Sequence, residues 1–127
     1  MYRLLLGAYL LFMVIMLMRC GPVSEIDELV KQTDKVQVVF YERLDAYTDV
    51  TARRDIKRFS DYILEEPSPL YRCGYDGYLV FFTGTGSVRM EFNLRDDCLH
   101  VVYPYADGVQ SRILSQEGQD YLRSLAP

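Results

Sequence analysis

The chain has few residues that could carry chemistry. It holds three cysteines (Cys20, Cys73, Cys98), one histidine (His100) and eleven tyrosines, with no tryptophan. A single imidazole rules out a histidine-based metal cluster. It also leaves no nucleophile–base dyad whose partner spacing can be named. The run Thr83–Ser87, TGTGS, is glycine-rich, but a phosphate loop needs Gly-Lys-Ser/Thr ahead of a helix. Here the flanking runs are both strand-like, so the expectation is a hairpin turn. Asp96 and Asp97 sit in a short polar turn, without the spaced oxygen ligands of a calcium loop. Asp76–Gly77 in CGYDGY reads as turn chemistry ahead of a strand. The eighteen acidic residues show no spacing that selects a catalytic pair. Arg53, Arg54, Lys57 and Arg58 read as the solvated face of a helix, and His100 as a surface or half-buried residue of a strand. No catalytic residue, metal or cofactor is implied.

The tyrosines are the more informative set. Tyr71, Tyr75, Tyr78, Tyr103 and Tyr105 fall in the expected sheet and the loop beside it. A phenol offers a broad apolar face with a polar tip, which suits recognition of a protein or a glycan. Half-buried packing in strands is the competing account.

Charge narrows the partner. The chain carries 14 basic and 18 acidic side chains. Without Arg3 and Arg19 of the leader, 12 stand against 18, a net charge of −6. A phosphate backbone would be repelled, so nucleic acid is excluded as the expected partner.

Residues 4–18 contain no charge, and Arg3 precedes them. As a helix, those residues would span about 22 Å, short of the roughly 30 Å of bilayer hydrocarbon. The acidic stretch behind them, CGPVSEIDE, belongs outside by the positive-inside rule. A short basic start, a leucine-rich run and Cys20 followed by Gly21 resemble a bacterial lipoprotein signal. That resemblance implies that Cys20 receives a diacylglyceryl thioether and becomes the N-terminus. Leu17 fits the pattern, while Arg19 stands where the family carries a small residue. The alternatives are that residues 1–20 stay as an uncleaved anchor, or that they serve ordinary secretion or form a buried helix. The first two place the protein in a cell envelope, held to the membrane by its N-terminus and facing the periplasm or cell surface.

Outside the cytoplasm, Cys73 and Cys98 can pair and leave Cys20 as the odd one. In the cytoplasm both would be buried free thiols. A bridge would close a loop of about 26 residues.

The elements expected to position these residues make a single α+β domain over 36–127, preceded by a linker or short helix over 21–35. Ser24 is a candidate N-cap, with Ile26, Leu29 and Val30 on one helical face. Val36–Glu42 is the first strand, and residues 45–50 are loop. Thr51 caps a helix that carries Ile56, Phe59 and Ile63 and ends before Pro67 and Pro69. Tyr78–Phe82 reads as a central strand buried on both sides. Ser87–Leu94 alternates, with Val88, Met90, Phe92 and Leu94 inward and Ser87, Arg89, Glu91 and Asn93 outward. Cys98–Tyr105 is a strand whose far end is edge-like at Pro104. An Asp-Gly turn, a last short strand and a helix capped by Ser115 close the chain. The order strand, helix, four strands, helix implies a mostly antiparallel sheet of about five strands with helices on one face. Cys73 and Cys98 then sit at the same end of that sheet.

With no nucleophile–base constellation, the expectation is a non-enzymatic binding or structural module. Its partner would be an envelope protein or a glycan. An inhibitor or chaperone-like accessory using the GYDGY loop is the alternative, and a hydrolase ranks last.

Overall fold

The computed structural model describes residues 24–70 and 72–127. The leader, the lipidation expected at Cys20 and the binding role expected of Tyr71 lie outside the described residues.

Helix α1 (Glu25–Gln32) runs directly into β1 (Thr33–Phe40), which turns through Tyr41 and Glu42 into β2 (Arg43–Val50). Two short helices, α2 (Arg53–Lys57) and α3 (Phe59–Tyr62), precede β3 (Ile63–Pro67). A long connection leads to β4 (Gly77–Thr83), β5 (Gly86–Asn93), β6 (His100–Tyr105) and β7 (Gly108–Leu114). Helix α4 (Gln116–Leu125) follows. The strands form one seven-stranded sheet, ordered β2-β1-β4-β5-β6-β7-β3, with every neighbouring pair antiparallel.

The class is α+β as expected, but with seven strands rather than about five. Both additions are edge strands. β2 (RLDAYTDV) is polar because little covers it, and its threonine, tyrosine and valine suit a pleated ladder once β1 lies alongside. Its pairing passes from Val39–Tyr47 straight to Phe40–Arg43, so Leu44, Asp45 and Ala46 face no β1 residue. β3 comes out of the expected 51–64 helix. That helix is instead two short pieces, and Ile63 pairs with Leu114 as the first residue of a strand. The Tyr62 carbonyl accepts the Ser115 N–H at 2.9 Å, a tertiary bond where a helix would have continued.

Strand parity separates two faces. One carries Val36, Val38, Leu79, Phe81, Met90, Phe92, Val101, Tyr103 and Leu114, packed under Ile26 and Val30 of α1, Ile56 of α2, Phe59 and Tyr62 of α3, and Leu122 of α4. α1 is therefore a layer of this core and not a spacer. Its Ser24 makes no side-chain cap. The other end is capped instead by Arg53, whose guanidinium donates to the Thr33 and Val30 carbonyls at 2.6 and 2.8 Å. One member of the basic run thus ties two helices together and does not simply face solvent. α4 begins as expected, with the Ser115 hydroxyl accepting the Gly118 N–H at 3.1 Å.

Candidate interaction face

The opposite face of the sheet has two halves. The chain between β3 and β4 must travel from the β3 edge back to the slot between β1 and β5. It crosses β7, β6 and β5 as a strap on the face away from the helices. Ser68 N–H donates to the Ser111 carbonyl at 3.1 Å, and the two serine hydroxyls bond to each other. The Asn93 amide donates to the carbonyls of Gly74 (2.6 Å) and Cys73 (3.4 Å). The Tyr75 ring lies 6.2 Å from that of His100, centroid to centroid. Cys73 and Cys98 are bridged, with Cα atoms 6.4 Å apart. The disulfide expected from sequence is therefore present, at one end of the sheet.

The strap explains two departures from expectation. The sequence reads Asn93 as outward and His100 as surface or half-buried, and both are fully buried. They pair across β5 and β6 beneath the strap, with His100 Nδ1 2.5 Å from the Cys98 carbonyl oxygen. Asp76 is likewise committed to structure. Its carboxylate accepts the Leu94 N–H at 2.7 Å, its carbonyl accepts the Tyr41 N–H, and its own N–H donates to the Phe92 carbonyl. The GYDGY loop is thereby fastened to the β1–β2 turn and to the end of β5. The Asp97 carboxylate lies within 4.8 Å of both cysteine sulfurs. In the bridged form neither sulfur is a thiolate, so that trio lacks two of its ligands.

The expected tyrosine surface divides. Tyr103 belongs to the helix-facing side and is 4% exposed, with its hydroxyl donating to the Glu25 carboxylate. Arg112 also donates to that carboxylate, at 3.0 Å. Burial first, and then the bond to Glu25, push the Tyr103 phenol well above its ordinary range. It packs as a core anchor, with little of its ring left at the surface. Tyr105 shares its parity but stands exposed at the end of β6. Tyr75 is exposed on the strap. Tyr78 alone points out from the middle of the uncovered half.

That half, formed by β2, β1, β4 and β5, holds rings and cations in layers. The Arg89 guanidinium lies 3.6 Å over the centre of the Tyr78 ring, and Tyr78 sits 5.6 Å from Tyr41. Arg89 donates to the Tyr41 hydroxyl at 2.8 Å and pairs with Glu91 at 3.1 Å, while Tyr41 donates to Glu91. Partial burial, and then the Glu91 carboxylate as acceptor, raise the Tyr41 pKa from its ordinary value of 10.0. Lys35 Nζ stands 4.5 Å over the Phe82 ring. Tyr47, opposite Val39, is 59% exposed. β4 is therefore not buried on both sides. Leu79 and Phe81 are sealed, while Tyr78, Val80 and Phe82 on the other parity keep some exposure.

The chain matches no family model, no curated protein and no solved structure.

Sequence reasoning missed Tyr41, Tyr47, Phe82, Lys35 and Arg89 as one patch. The parity of β1, β4 and β5 was readable strand by strand. Their alignment needed the register Val39–Tyr78 and Tyr78–Glu91, which no local pattern carries.

Proposed function

We propose that this protein is a non-enzymatic binding module of a bacterial cell envelope, tethered to the membrane through its N-terminal apolar segment. The surface that binds its partner is the uncovered half of the sheet, bearing Tyr41, Tyr47, Tyr78, Phe82, Lys35 and Arg89. The observation that carries this reading is the contrast within one face. The strap seals the β5–β7 half, while the β1–β4 half keeps aromatic side chains and cations in contact with water. Aromatic side chains and arginine are the residues enriched where proteins meet. A protein partner suits the patch better than a glycan. A sugar stacks on an open ring face, and here Arg89 covers Tyr78 while Lys35 covers Phe82.

Photo-crosslinking tests the reading. A photoreactive residue replacing Tyr47 in the full chain should give one discrete protein adduct in intact envelopes. The same residue at Asp120, exposed on α4, should give none. Arg89→Glu should abolish the Tyr47 adduct. Equal labelling from both positions, or no adduct from Tyr47, overturns it.

A further inference from the structure

β6 pairs with β5 only from His100 to Val102. Beyond Val102 the two strands splay, which is why Pro104, having no N–H to give, is accommodated within a strand. The opening leaves an apolar recess of about 160 Å³ lined by Ile26, Leu29, Val88, Tyr103, Pro104 and Tyr105, with Glu25 at its rim. Next to it the β6–β7 turn presents Tyr105 and Val109, 50% and 56% exposed. The N-terminal end of α1 also lies here, since its Glu25 bonds both Tyr103 and Arg112.

We infer that the tip of the β6–β7 hairpin and this recess form a second membrane contact, seated in the interfacial layer of the bilayer. The inference rests on the tether proposed above. Six residues, 19–24, separate the apolar run from α1. Fully extended, they reach at most about 22 Å. The recess beside Glu25 is therefore held close to the headgroups by chain length alone. Tyrosine suits that layer, because its ring enters the acyl boundary while its hydroxyl stays wet. Val109 adds apolar area on the neighbouring strand. The bonds to Arg112 and Tyr103 compensate the Glu25 carboxylate, so the rim does not present a bare anion to the lipid. In this pose the β1–β2 turn, at the opposite end of the sheet, points away from the membrane. The tyrosine-bearing half-face then stands upright and open to a partner.

The chain has no tryptophan, so a single introduced one reports its own depth. Val109→Trp and Leu44→Trp both replace exposed residues and should leave the fold intact, which the Cys73–Cys98 bridge and circular dichroism check. Each full-length variant is reconstituted in phosphatidylcholine vesicles containing brominated lipid, and association is verified by flotation. The Val109→Trp emission should fall at least two-fold, while Leu44→Trp, next to the distal β1–β2 turn, stays within a tenth of its unquenched value. Floating protein whose Val109→Trp is unquenched, or whose two tryptophans quench alike, overturns the second contact and leaves the tether standing. A chain that does not float overturns both.

Discussion

Removing the Cys73–Cys98 bridge by Cys73→Ala isolates the cross-link. Cys73 is only half-buried while Cys98 is sealed, so the substitution at 73 loses the less packing. The bridge joins residues 25 apart in sequence. The chain-entropy relation for a loop of about 26 residues gives roughly 3.5 kcal/mol at 25 °C. For a domain of about a hundred residues that corresponds to a fall in Tm of about 15–25 °C. Urea unfolding of the oxidised protein, set against Cys73→Ala with a thiol reductant present, measures the difference directly. The slope m should rise in the variant, because its unfolded chain is less confined. Hydrogen exchange then locates the loss. The amides of Ser68, Asp76 and Leu94, which fasten the strap and its ends, should lose protection before those of β1 and β4. A stability change below about 1 kcal/mol would refute the reasoning, and would mean that the side-chain bonds of the strap suffice to hold it.

Two further outcomes follow from the packing. Gly77 begins β4 with its Cα against the β1 backbone, where an added Cβ would meet the Val39 carbonyl oxygen at 2.1 Å and the Phe92 ring at 2.7 Å. Gly77→Ala should cost more than about 3 kcal/mol or prevent folding, whereas Gly84→Ala, with nothing within 4 Å, should fold; urea midpoints compare them. Burial raises the phenols of Tyr41, Tyr62, Tyr103 and Tyr121 above their ordinary 10.0. The unfolded chain therefore releases these protons first, and their contribution is complete below about pH 10 and lost as pH climbs through the folded values. Stability measured by urea should decline from pH 9.5 to 11.5, less steeply in Tyr103→Phe, and a flat profile would contradict the burial argument.

Much of the centre of the sheet could be read locally. Val88, Met90 and Phe92 alternate against polar neighbours, and Ser115 with Tyr121 and Leu122 marks the last helix, because each pattern is set by residues a few positions apart. The edges could not be read that way. Asp45 and Asp49 in β2, and Glu65 and Glu66 in β3, sit on strands with one wet side, where composition resembles a loop. His100 and Asn93 were misplaced for a different reason. Their burial comes from a segment some twenty residues away that crosses above them, and neither alternation nor propensity reports a crossing. Residue type groups Tyr103 with Tyr78, whereas its parity with Val101 puts it on the core side. For the interaction face, the side chains were visible and the inter-strand register was not.

The two ends of the strand order have a bearing on how such molecules coexist. A membrane tether of the proposed kind would concentrate copies in a plane, where an exposed strand edge would invite one sheet to extend into the next. Neither edge offers an uninterrupted template. On β2 the three residues Leu44–Ala46 break the ladder, and a bulge of this kind twists an edge out of register. On β3 the pairing skips from Ile63 to Pro67, and the strand ends in two glutamates and a proline. The fold can therefore be crowded on a surface without polymerising through its backbone, which leaves side-chain recognition as the route to assembly.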